Sequence, residues 1–153
     1  MTKKEILAAA SEVLEIEAAA VRALGERLDD EFVRAVDLVC RTKSRIIVLG
    51  MGKSGLVGRK IAATLASCGT PAMFVHPAEA GHGDLGIILK KDVILAVSYS
   101  GETREIVDLL GFIKRIGVKL ICLTGHRHSR NCYHHRVDGR RCHHHCHGTC
   151  HNG

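Results

Sequence analysis

"VLGMGKSGLVG", residues 48–58, is an apolar run that enters a glycine-rich turn and leaves it with residues suited to a helix. The pattern predicts a strand, a tight turn and a helix, the joint at which open α/β sheets hold anions. Three anions compete for it. Gly50, Gly52 and Gly55 spell the G-x-G-x-x-G dinucleotide pattern, and Gly52-Lys53-Ser54 has the ending of an ATP-binding P-loop. A sugar phosphate needs only the free N–H groups of the helix N-terminus.

Downstream, the same texture repeats. "RIIVLG" is followed by a predicted helix over 54–68, then "PAMFVH", a loop, "DVILAVS", a predicted helix over 102–116, and "KLICLTG". Strands apolar throughout, separated by amphipathic helices, predict a parallel sheet covered on both faces: a three-layer αβα sandwich of Rossmann-like type. Upstream, Thr2 and Glu5 have capping-box spacing, and Ile6, Ala10, Val13, Leu14, Ala18, Val21 and Leu24 recur at helical intervals until Gly25. A second helix is expected from Asp29 or Asp30 to about Arg41. These two leading helices can pack on the core or on another subunit.

Composition bounds the class. The 153 residues are 46% hydrophobic and 25% charged, as in one soluble globular domain. No apolar run reaches a membrane span, and the charged N-terminus does not suit a signal peptide, so a cytoplasmic protein is expected. Net charge is +6, but three Phe, two Tyr and no Trp offer no stacking platform for nucleic acid. A small anionic ligand explains the excess more simply. Cys40, Cys68 and Cys122 lie in apolar segments and are expected to be buried thiols.

The remaining motifs discriminate among the anions. A P-loop requires glycine where Ile47 stands. The dinucleotide reading requires an acidic residue ending the second strand, which here ends in His76; Glu79 falls in the expected loop. In "SYSGETRE", by contrast, Ser98, Ser100 and Thr103 surround Gly101 where the third strand gives way to a helix. Three hydroxyls at a second helix N-terminus favour a phosphate, gripped together with Ser54 from the first turn. No metal is required. The plainer alternative is that Ser100 or Thr103 only caps the helix.

"GMGKSG", "FVHPAEAGHGDLG", "SYSGETREI" and "LICLTG", in this order and spacing, make residues 6–130 resemble the sugar isomerase (SIS) domain, and within it the arabinose-5-phosphate isomerase group. Tyr99 departs from the group, which usually has Asn there. The resemblance implies interconversion of D-ribulose 5-phosphate and D-arabinose 5-phosphate, a step toward the Kdo sugar of lipopolysaccharide, without an organic cofactor. With the two leading helices it implies a homo-oligomer, dimer or tetramer, while the composition read above leaves neither nucleic acid nor membrane as an expected partner. It assigns phosphate binding to Gly52, Ser54, Ser98, Ser100 and Thr103, and places Lys53, His82 and Glu105 in the active site. The chemistry asks for such groups: an enediolate path needs proton transfer between adjacent carbons and a cation for the developing oxyanion. Lys53 suits the oxyanion and Glu105 the proton transfer, while His82 suits ring opening or a sugar hydroxyl. A solvated lysine, a first-turn glutamate and a loop histidine are the plainer readings. Two other functions stay open: a non-catalytic sugar-phosphate-binding SIS domain, and a metal-binding protein.

The metal alternative rests on residues 131–153, "NCYHHRVDGRRCHHHCHGTCHNG", which have neither helical nor strand periodicity. Cys142, Cys146 and Cys150 among several histidines suit zinc, if only adventitiously. No apolar residues stand nearby to build a structural site. Reading one base forward turns Cys codons mostly into Ala or Val and His codons mostly into Thr or Ile. The expectation is a frame-shifted or disordered tail after a domain spanning 1–130, and a sheet without its last strand.

Overall fold

The computed structural model describes residues 1–80 and 84–125. They fall into two compact units, one ending at Cys40 and one beginning at Arg41. The first unit is α1 (Lys3–Gly25) and α2 (Asp30–Arg41). Thr2 and Glu5 form the reciprocal capping box expected of them: Glu5 N–H donates to Thr2 Oγ1 at 3.3 Å and Thr2 N–H to Glu5 Oε2 at 2.7 Å. Asp29 Oδ1 accepts from the N–H groups of Glu31 and Phe32, which starts α2. Both helices display apolar side chains, among them Leu14, Val21, Phe32 and Val33.

The second unit contains β1 (Ile46–Gly50), α3 (Gly52–Ser67), β2 (Ala72–Val75), α4 (Pro77–Ala80), a 3₁₀ turn (Asp84–Ile87), β3 (Val93–Val97), α5 (Arg104–Ile116) and β4 (Lys119–Leu123). All strand pairs are parallel, in the order β2-β1-β3-β4. The expected loop after "PAMFVH" is partly helical, so Glu79 lies on α4. Among the described residues β2 and β4 are the sheet edges.

Ile46, Ile47, Val48 and Leu49 are wholly buried, which explains an apolar run without alternation: this strand is covered on both sides. Ile47, Leu49, Ile94 and Ala96 cluster with Ile106, Leu109 and Ile113, the inward stripe of α5. The intervening residues face α3, where the side chain of Val48 lies against Gly58. Helices on opposite faces give the three layers. Each fully buried Ile or Leu contributes about 1.5–3 kcal/mol. α5 ends because Gly117, at φ 71°, takes the left-handed conformation and donates its N–H to Ile113 O.

The thiols differ from expectation. Cys40 and Cys68 are exposed and Cys122 is half-buried. Cys40 stands at the end of α2, Cys68 just past the end of α3, and Cys122 on an edge strand. At these places apolar neighbours in sequence do not enclose the side chain.

Candidate functional site

The site follows from strand order. From β1 the chain moves to one side to make β2, then crosses over to make β3 on the other side. The turns after β1 and β3 therefore diverge and leave a crevice at the carboxyl ends of the strands. Gly50 is in register with Val97, so the two turns leave the sheet side by side.

The first turn needs its glycines. A Cβ at Gly50 would stand 2.8 Å from Ser54 O, and one at Gly55 would stand 2.9 Å from Gly50 O. The end of β1 and the first turn of α3 approach too closely for side chains. Gly52 adopts φ +51°. Further along α3, a Cβ at Gly58 would press on the Phe74 ring and Val48 at 3.2 Å. Much of the Gly-rich spacing thus serves helix–strand packing. Met51, the N-cap, contributes no side-chain hydrogen bond, so the N-terminus of α3 lacks a side-chain cap beside half-buried Ser54 and exposed Lys53.

The second turn is tied by its own hydroxyls. Ser98, 1% exposed, shares a 2.7 Å hydrogen bond with Thr103 Oγ1, and its Oγ accepts the Gly101 N–H at 3.1 Å. Ser100 Oγ accepts the Glu102 N–H at 3.1 Å. Gly101 has φ 70°. Thr103 is the N-cap of α5 yet makes no side-chain capping bond, so the plain capping reading fails for it. Glu105 follows in the first turn, half-buried. Of the residues singled out in the sequence, Gly52, Lys53 and Ser54 are on one lip of the crevice and Ser98, Ser100, Thr103 and Glu105 on the other. His82, Cys142, Cys146 and Cys150 lie outside the described residues. Among the described residues no group of three or more His, Cys, Asp or Glu side chains forms a metal site.

One buried polar side chain falls outside the phosphate motifs. His76, just past β2, has a buried Nδ1 without a hydrogen-bond partner among the described residues. The available signal is a histidine ending a strand beside the glycine turn, which the dinucleotide test reads only as a missing acid.

A cleft of about 320 Å³ opens beside α3, between Lys53, Ser54 and Val57 and the ends of β3 and β4 at Val97, Tyr99 and Leu123. At the opposite end of the strands, Asp92 is fully engaged. It accepts from Ser44 Oγ at 2.5 Å, Arg45 N–H at 3.2 Å, Leu89 N–H at 2.9 Å and Arg45 Nη2 at 2.9 Å. Burial alone would raise its pKa, but these hydrogen bonds outweigh it and hold the carboxyl below the usual carboxylate range.

A parallel sheet with helices on both faces and two helix N-termini at its switch point defines a doubly wound α/β domain, a class in which such switch points hold ligands. The SIS domain model matches residues 40–137, and the chain belongs to the SIS domain family. It is 54% identical over 125 residues to arabinose 5-phosphate isomerase KdsD of Pseudomonas aeruginosa, covering 82% of this chain and 38% of that protein. Identity to the Escherichia coli K12 enzyme of the same name is 49% over 117 residues, 76% of this chain and 36% of the relative. The chain thus spans under two-fifths of the length of these curated relatives. Among solved structures, E. coli CFT073 c3406 in complex with arabinose 5-phosphate superposes with a TM-score of 0.79 at 38% identity, covering 84% of this chain and 69% of the other. No described helix is long and apolar enough to cross a membrane.

Proposed function

We propose that the chain is the isomerase domain of an aldose–ketose isomerase that interconverts D-ribulose 5-phosphate and D-arabinose 5-phosphate. The observation that carries this reading is the pairing of Gly50 with Val97, by which the turns leading to α3 and α5 leave the sheet side by side. The phosphate sits at the N-termini of α3 and α5, held by backbone N–H groups with Gly52, Ser54, Ser100 and Thr103. Ser98, committed to Thr103 and Gly101, shapes the turn and acts on phosphate through it.

With the phosphate fixed, Glu105 takes the proton from C1 of the ketose and returns one to C2, the O1 proton passes to O2, and the Lys53 ammonium stabilises the negative charge on the enediolate oxygens in between. His82 assists ring opening or holds a hydroxyl. The names of the curated relatives and the sugar phosphate bound to the solved neighbour support the substrate class. We also propose a cytoplasmic homo-oligomer, supported by the apolar side chains displayed on α1 and α2. For residues 131–153 we propose a shifted reading frame, and resequencing the gene tests it. A plus-one frame that fails to continue the domain sinks that idea.

The activity test is incubation with D-ribulose 5-phosphate and detection of D-arabinose 5-phosphate. Turnover that disappears in Glu105→Gln and Lys53→Met supports the reading. Binding without any turnover favours the non-catalytic SIS domain instead.

A further inference from the structure

The phosphate grip leaves one wall of the crevice without a role. In β3, Ile94 and Ala96 face α5, so Val93, Leu95 and Val97 face α3. Continuing the alternation puts Tyr99 on the α3 side, and Tyr99 lines the same cleft as Lys53 and Ser54. Its backbone is fixed by a prolonged ladder: Ser98 N–H donates to Leu123 O and Gly125 N–H to Tyr99 O, both at 3.0 Å. Its ring is seated on Gly125, where a Cβ would stand 2.6 Å from both Cδ2 and Cε2. Anchored in this way, the residue is still 73% exposed.

A phosphate grip recognises charge and does not distinguish one phosphorylated molecule from another. Discrimination needs a surface that touches the carbon chain. An aromatic ring supplies an apolar face for the C–H side of a polyol, and a phenol adds a donor and acceptor for its hydroxyls. Resting on the sugar-phosphate reading above, we propose that Tyr99, backed by Gly125, is the specificity-determining wall of the crevice. The carbon chain of a pentose phosphate lies against its ring while the phosphate is held at the helix N-termini.

The test compares inorganic phosphate with D-arabinose 5-phosphate by calorimetric titration of the wild-type chain and three variants. Wild type binds the sugar phosphate more tightly than inorganic phosphate. Tyr99→Ala weakens the sugar phosphate about three- to tenfold and leaves inorganic phosphate unchanged. Tyr99→Phe retains most of the affinity, and Gly125→Ala, whose methyl displaces the ring, behaves like Tyr99→Ala. Equal affinity of wild type for the two ligands overturns the wall and spares the phosphate grip. Unchanged binding in Tyr99→Ala, or a parallel loss of both ligands there, also overturns it, the parallel loss marking a disturbed Ser98–Ser100 backbone. If wild type binds neither ligand, the sugar-phosphate reading falls and the wall with it.

Discussion

The two ends of the same four strands treat polar groups in opposite ways. At the amino end, buried Asp92 collects hydrogen bonds from Ser44, Arg45 and Leu89 until both carboxylate oxygens are engaged. At the carboxyl end, α3 begins without a side-chain cap, and the Thr103 side chain, at the N-cap of α5, makes no capping bond. A satisfied cluster ties β1 to β3 and has nothing left to offer a ligand. The other end leaves the N–H groups of two helix N-termini without side-chain caps, the capacity on which the phosphate proposal rests.

This contrast breaks if substitutions at the two ends have the same kind of effect. Glu105→Gln is expected to lower kcat by about 10²–10⁴ with little change in melting temperature, as loss of a general acid–base would. Lys53→Met follows at about 10²–10³, measured in the same progress curves. Asp92→Ala acts on the other axis: it costs about 3 kcal/mol in denaturant unfolding and leaves KM for the folded fraction unchanged. Because folding lowers the Asp92 pKa, its stabilisation is present above the unfolded value and is lost as pH falls through the folded one. Wild-type stability therefore drops on acidification below about pH 4, by an increment missing from Asp92→Asn. Ser54→Ala is the smallest change, raising KM about tenfold or somewhat less with kcat retained. Comparable losses of stability in Glu105→Gln, Lys53→Met, Ser54→Ala and Asp92→Ala would erase the distinction between the ends.

The parallel sheet was legible because β1 is buried on both faces and shows no alternation, while α5 carries Ile106, Leu109 and Ile113 on one stripe. The two turns after β1 and β3 were legible from glycine and hydroxyl spacing, and their role in phosphate binding is the proposal made above. The inward commitment of Ser98 was not, since a serine that shapes a turn and one that binds a ligand have the same sequence context. The exposure of Cys68 was hidden for a related reason: helix ends turn apolar neighbours away from a side chain, and composition does not register that. The Asp92 cluster joins residues 47 and 48 positions apart in the chain, beyond the reach of any local pattern.

The central claim is that the carboxyl-end crevice moves a proton between adjacent carbons of a phosphorylated pentose. The direct measurement is proton and deuterium NMR of D-ribulose 5-phosphate incubated with the chain in D₂O. The expected product is D-arabinose 5-phosphate carrying deuterium at C2, delivered by a group that exchanges with solvent, and no such product forms with Glu105→Gln. Ribulose 5-phosphate recovered without product and without deuterium at C1, although it binds, would contradict it.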